Sequence, residues 1–286
     1  MDEQQKERLR RAKAEAVSRL RDIPAARYEA LAETDVRLRD YCEMIRDEPE
    51  RHNLYEVLSV ARFFDLRERY EWDMKGVRRF INFAEAVKLS GTTGRRCYKC
   101  TPVQVFEFAS IWGFLRGGKR LVREVCLFIP RKYSKTTTSA IFATYDMMYG
   151  DANAQAYVAA NSYDQAQQCF MEITGIVKGI DPKMRFFHTN RHTVKFRRGQ
   201  RQTFAQCLTS NKDTKDGLNA SLVIMDEYAQ AKSSDLLAVL TTSMGVRPEP
   251  LTIIITTASD KLFGPFALLL EGYKRVLRGE LAADEL

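Results

Sequence analysis

A lysine followed by a hydroxyl residue at the start of a helix can hold phosphate oxygens. The stretch "FIPRKYSKTTTSAIF" (128–142) supplies that pair as Lys135 and Thr136. The usual phosphate loop reads G-x-x-x-x-G-K and then Ser or Thr, its glycines letting backbone amides close around the anion. Here Ile129 and Ser134 stand at the glycine positions. The unpaired amides of a helix N-terminus still make an anion cradle, running through Lys132, Tyr133, Ser134, Lys135, Thr136 and Thr137. In that reading Lys135 contacts β- and γ-phosphates and the Thr136 hydroxyl ligates Mg²⁺. Taken alone, the loop reads equally as a basic turn that caps a helix.

A second stretch, "SLVIMDEYAQA", ends an apolar run in Asp226-Glu227, about 90 residues after Lys135. An aspartate there can hold Mg²⁺ and a glutamate can polarise an attacking water. Two adjacent acids at the exit of a buried strand, following a lysine loop, favour a nucleotide site over a chance loop. A third run, "IIITTAS" (253–259), ends in Thr256 and Thr257. Either hydroxyl could sense a γ-phosphate or hold water, but spacing alone favours ordinary β-branched strand residues.

Strands alternating with helices must position these groups. "REVCLFI" (123–129), "AYVAA" (156–160), "SLVIM" (221–225) and "LTIIITT" (251–257) read as buried strands, and a hairpin is expected to turn at Arg198-Gly199. Helices are expected over 135–149, from Ser162 to about Lys178 with Gly179 as stop, over 234–244, and from Pro265 to Arg278. In "TPVQVF" Thr101, Pro102 and Gln104 form a capping-box pattern. Before them lie a charged helical stretch over 1–50, with a weak stripe of Leu9, Ala12, Ala16 and Leu20, and a helix over 75–90 ended by Gly91. "SGTTGRR" (90–96) reads as a linker. The expected class is α/β, a mostly parallel central sheet flanked by helices, with an N-terminal helical region over 1–92 and the core over 93–279.

With 286 residues, 45% hydrophobic and 29% charged, the chain has the composition of a globular protein. No run is long and apolar enough for a membrane helix, and "MDEQQKERLRR" is no signal peptide, so a cytoplasmic location is expected. Of six cysteines only Cys97 and Cys100 form a CxxC, without a second ligand pair for zinc; reduced structural cysteines are expected. The net charge of +8 suits a polyanionic partner without requiring one. Lys183, Arg185, Arg191, Lys195, Arg197, Arg198, Arg201 and Lys212 fall in a span, 182–212, that holds no acid. Such cations can track phosphates, with Arg191, Lys195, Arg197, Arg198 and Arg201 on and beside the hairpin as candidate DNA contacts. A solvated ribbon or a subunit interface reads equally well from the same residues.

The order "TPVQ…RKYSKTT…AYVAANSYDQA…DGLNASLVIMDE…ITTAS" resembles the ATPase domain of the large terminase subunit of tailed bacteriophages, over about residues 68–280. That resemblance implies a P-loop fold of the additional-strand, catalytic-glutamate type. It also implies an Mg²⁺-dependent ATPase that drives double-stranded DNA into a procapsid. Lys135 and Thr136 would bind phosphate and Mg²⁺, Asp226 would bind Mg²⁺, and Glu227 would activate water. The resemblance further implies that Arg131 neutralises the γ-phosphate from within the chain, that Gln104 reads adenine, and that residues 256–259 couple hydrolysis to movement. Expected partners are DNA, a portal protein, a small terminase subunit and further copies in a ring, in the host cytoplasm. Residues 280–286 fall where the family's linker to a nuclease domain begins, so no nuclease activity is expected of this segment. The rival readings are a helicase-like nucleic-acid translocase and a non-hydrolysing, nucleotide-dependent assembly scaffold.

Overall fold

Two apolar runs decide the centre of the fold. Leu222–Asp226 and Leu251–Thr256 are buried at every position, as parallel strands covered on both faces must be. The computed structural model describes residues 2–91, 94–160, 162–209, 217–259 and 263–283. Lys212 and the Asp216 of "DGLN" lie outside the described residues.

The main sheet comprises β1 (Glu124–Phe128), β2 (Gln155–Ala160), β3 (Phe187–Thr189), β4 (Thr193–Arg198), β5 (Arg201–Thr209), β6 (Leu222–Asp226) and β7 (Leu251–Thr256). Across the sheet their order is β1-β7-β6-β2-β5-β4-β3. The first five run parallel, β4 runs antiparallel to β5, and β3 antiparallel to β4. β7 separates β1 from β6, so the lysine loop and the acidic pair leave the sheet from strands that are not neighbours.

The chain forms two compact units, one of residues 1–82, 99–122 and 270–286, the other of 83–98 and 123–269. Helices α1 (Glu3–Asp22), α2 (Ala25–Ala32), α3 (Val36–Asp47), α4 (Leu54–Arg69), α5 (Met74–Ala86) and α6 (Pro102–Trp112) begin in the first. α7 (Lys135–Tyr149), α8 (Tyr163–Ile180), α9 (Asp235–Thr242) and α10 (Pro265–Leu277) begin in the second. In the first unit, Asp2, Asp35 and Asn53 cap α1, α3 and α4 by accepting backbone amides. Its core gathers around Phe63, whose ring lies 5.5, 5.4 and 5.3 Å from Trp72, Phe106 and Phe114. Of the α1 stripe, Ala16 and Leu20 are buried, joined by Val17.

Two expectations are corrected. The helix expected over 75–90 stops at Ala86, and Lys88–Gly91 pairs with Gly94–Cys97 as an antiparallel hairpin. Gly91 thus ends a strand rather than a helix, and the described residues of "SGTTGRR", 90–91 and 94–96, are strand rather than linker. Backbone pairing to residues farther along the chain outweighed helical periodicity there. Gly179 does not stop α8, which runs on to Ile180. A Cβ at Gly179 would stand 3.4 Å from the Lys88 carbonyl oxygen, an ordinary contact, so helix and hairpin pack together here. The turn at Arg198-Gly199 is as expected: Arg198 pairs with Arg201, and Gly199 adopts φ 59°.

At the opposite edge from the strand exits, Arg247 ties three loops together. Its guanidinium donates to the Asn153 side chain (2.7 Å), the Asn153 carbonyl (3.0 Å) and the Asn219 carbonyl (2.6 Å). Only 8% of Arg247 is exposed, so truncation leaves these acceptors without a charged donor. Arg247→Ala is expected to cost about 3 kcal/mol, read as an unchanged denaturant m-value with a lowered midpoint. A midpoint within error of wild type would contradict this role.

Candidate nucleotide-binding site

Parallel register brings the functional loops to one edge. Phe128 stands opposite Thr256, and Asp226 stands opposite both Ile255 and Ala160. The chain therefore leaves β1, β7, β6 and β2 at a common level, where open α/β sheets bind ligands.

The loop before α7 achieves its shape without glycine. Lys132 has φ 65° and Ser134 has φ 57°, both left-handed. Left-handed residues close together turn successive amides into an anion-binding concavity. Each such residue costs about 1–2 kcal/mol against the right-handed form. Ser134 makes no capping bond with its side chain, but its carbonyl accepts the Thr138 amide at 2.9 Å and so starts α7. The Thr138 hydroxyl, one turn on, lies 3.3 Å from the buried Tyr98 hydroxyl.

Across from the loop, Glu227 also has a left-handed backbone, with φ 53°. The Lys135 ammonium lies 3.0 Å from one Glu227 oxygen, and the Thr257 hydroxyl donates to the other at 3.2 Å. Thr256 is fully buried, and its hydroxyl accepts the Ala229 amide at 3.0 Å. The two threonines thus brace the residues around Glu227. Beside them, Asp226 is buried and its Oδ1 has no hydrogen-bond partner among the described residues. Burial first, then the neighbouring Glu227 charge, pushes its carboxyl up to about 6, with Lys135 opposing. An orphaned, desolvated carboxylate oxygen beside a hydroxyl-bearing loop suits a divalent cation, held by Asp226 and the Thr136 hydroxyl.

These groups line a cavity of about 400 Å³, with loop residues 132–137, Asp226 and Glu227 contributing. Its remaining wall, Gln165, Gln168 and Glu172 of α8, did not emerge from motif reading. Their spacing of three and four was a usable signal: they form a polar stripe beside the buried stripe of Ala166, Cys169 and Ile173. Burial raises the Glu172 carboxyl above its usual range.

Not every expected residue is in this cavity. Arg131 is exposed and does not line it. Gln104 belongs to the other unit, where its amide oxygen accepts the Thr101 amide at 3.0 Å in the capping box of α6. Cys97 is exposed and Cys100 buried, both as free thiols.

The basic hairpin divides between two faces. The Thr203 hydroxyl donates to the Met147 carbonyl of α7, so Val194, Phe196, Thr203 and Ala205 face the helices. Lys195 and Arg197 alternate onto the other face, opposite Phe204 and Gln202 in register. Arg201 is tied to the Gly150 and Asp151 carbonyls at 2.6 and 2.9 Å. Arg198 lies over the Phe186 ring at 5.5 Å, and Arg191 is exposed.

Comparison with known proteins matches residues 102–275, more than half of the chain, to the family model "Terminase large subunit, ATPase domain". The chain belongs to this family. Among solved structures it is similar to the large terminase of bacteriophage HK97, with a TM-score of 0.57 at 22% identity. The match covers 70% of this chain and 41% of that one, so the chain spans less than half of that terminase. It is also similar to the large terminase ATPase domain of Thermus phage P74-26, with a TM-score of 0.41, 18% identity, and 48% and 60% of the two chains covered. At such identities the HK97 likeness carries the fold of the family. No curated protein sequence matches. As in the family's name, the lysine loop and the acidic pair belong to an ATPase domain.

The left-handed φ at Ser134 generates a test. Ser134→Gly is expected to leave nucleotide affinity within about threefold of wild type, since glycine adopts this conformation freely. Ser134→Val, a β-branched residue that resists positive φ, is expected to weaken it at least tenfold by titration with a fluorescent ATP analogue. Equal affinity in the two variants would contradict the strained-cradle account.

Proposed function

We propose that this domain hydrolyses ATP with Mg²⁺ and uses the cycle to pull double-stranded DNA into a viral procapsid. The observation that carries the reading is the meeting of Lys135 and Glu227 at 3.0 Å beside the partnerless Asp226 oxygen, on one cavity.

Before nucleotide enters, Lys135 and Glu227 neutralise each other. The β- and γ-phosphates offer Lys135 a stronger anionic partner, and the loop amides hold the same oxygens. Glu227 then keeps the Thr257 hydroxyl as an orienting contact, and its carboxylate can accept a proton from water without competition from the ammonium. Bound Mg²⁺, held by Asp226 and Thr136, would supply positive charge against the β- and γ-oxygens. Water attacks in line with the bond to the leaving β-phosphate oxygen, and Lys135 stabilises the charge that gathers there. Arg131, exposed on the same loop, adds a planar cation if the bound γ-phosphate draws it in. Gln104 can read adenine only when its oxygen leaves the Thr101 amide.

Thr256 and Thr257 give hydrolysis a mechanical outlet. Both sit at the end of β7 and touch the segment that carries Glu227, so a change at the carboxylate is felt at β7. The DNA contact we assign to the open hairpin face, through Lys195 and Arg197 with Arg191 nearby. Arg201 and Arg198 serve the fold there, the first through its carbonyl bonds and the second over Phe186. A portal protein, a small terminase subunit and further copies in a ring complete the proposed assembly, in the host cytoplasm. No helix among the described residues is long and apolar enough to cross a membrane. No nuclease step is assigned to this segment.

Glu227→Gln removes the base while keeping its shape. Turnover is expected to fall at least 100-fold, while ATP binding holds or tightens because Lys135 loses its competing partner. Wild-type turnover in the variant would contradict the role of Glu227. ATP binding without turnover in wild type, even with DNA and partner subunits present, would favour a nucleotide-dependent scaffold.

Lys195→Ala with Arg197→Ala is expected to weaken binding to DNA duplexes of any sequence. The slope of log affinity against log salt should shrink by about two. Turnover without DNA should not change. An unaltered slope would remove these residues from the DNA contact.

A further inference from the structure

We propose that Gln165 holds the attacking water, as a second acceptor opposite Glu227. The inference rests on the ATPase reading and gives a role to Gln165, which lies in the stretch "AYVAANSYDQA" but carried no function there.

Gln165 lies in the first turn of α8. Its own amide donates to the Ser162 hydroxyl at 3.3 Å, which fixes the backbone from which the side chain extends. The side chain lines the cavity with Asp226 and Glu227. Its Oε1 is buried from solvent and has no hydrogen-bond partner among the described residues. A buried carbonyl oxygen without a donor forgoes the hydrogen bond it had to water in the unfolded chain. Such a group persists where a ligand supplies the missing donor.

The chemistry narrows that ligand. Phosphate oxygens of ATP are acceptors and offer the Gln165 Oε1 nothing, although they could accept from its amide nitrogen. The donors in a nucleotide are its ribose hydroxyls and adenine amino group, yet the walls here are Lys135, Thr136, Asp226 and Glu227. These are groups for phosphate and cation, so this is the reacting end of the cavity. Water is the donor that the reaction itself brings there.

A water molecule has two protons and needs both held to aim a lone pair at phosphorus. Glu227 accepts the proton that is transferred. Gln165 accepts a hydrogen bond from the other, which stays on the oxygen. The new bond joins water oxygen to the γ-phosphorus, and the bond from that phosphorus to the bridging oxygen breaks. Its electron pair leaves on the β-phosphate of ADP, and the released phosphate keeps the proton that Gln165 held. Without Gln165 the water retains one anchor and rotates about it, which lowers the share of productive orientations. Binding of ATP involves no such bond.

The test is steady-state and single-turnover hydrolysis of MgATP, with double-stranded DNA present, by wild type, Gln165→Met and Gln165→Asn. Methionine keeps the length and removes the acceptor; asparagine keeps the amide and withdraws it by one methylene. Both are expected to lower kcat about 10- to 100-fold, with KM and the Kd of a fluorescent ATP analogue within about threefold. Melting temperatures should match wild type. A structural role would instead lower the melting temperature, and a nucleoside contact would raise Kd with kcat preserved; either result overturns the proposal, as does an unchanged kcat. Wild type that binds ATP without turning it over would overturn the ATPase reading itself, a failure distinct from an active wild type with equally active variants.

Discussion

The ion pair between Lys135 and Glu227 joins the two ends of a long chain of constraint. Their loops leave β1 and β6, which β7 keeps apart, so the contact exists only if three parallel strands share a register. Lys135 must also be the first residue of α7, placed by a left-handed Ser134, and Glu227 must turn off its strand in the same left-handed conformation. Each of those backbone conformations is unfavourable by itself. They persist because helix, sheet and ion pair together leave the chain no cheaper arrangement. In the proposed cycle phosphate would enter a site already shaped for it, and would find the lysine occupied by an anion it can replace.

That replacement links binding to chemistry. An ammonium already occupies one Glu227 oxygen, and the buried Asp226 beside it has an oxygen that no described residue partners. In the proposed cycle ATP with Mg²⁺ would relieve both conditions at once, so the catalytic base would be released only when substrate is in place. Thr257 keeps its hold on Glu227 throughout and belongs to the strand between the two loops. In the proposed function the same short contact would carry a displacement of Glu227 into the sheet.

Much of this was legible from residue order, and the misses share one cause. The buried runs of β1, β2, β6 and β7 and the start of α7 follow from local pattern, as does the placing of Lys135, Asp226 and Glu227 at one cavity. The hairpin over 88–97 did not, because its strands are stabilised by each other and by α8 rather than by their own periodicity. Gln165, Gln168 and Glu172 form a polar stripe that solvent would explain as well; only the fold shows that the stripe faces a cavity. Gln104 carried two readings in one pattern, and the capping box is the one its oxygen fulfils here. Of the hairpin cations, Arg201 is spent on backbone carbonyls, a use that no charge count reveals.

The most direct test of the account is an experimental structure with a non-hydrolysable ATP analogue and Mg²⁺. The account predicts Lys135 on the β- and γ-phosphates and beyond ion-pair distance from Glu227. It also predicts the Asp226 Oδ1 turned toward the metal and Glu227 still accepting from Thr257. A bound analogue with the Lys135–Glu227 contact intact would contradict it.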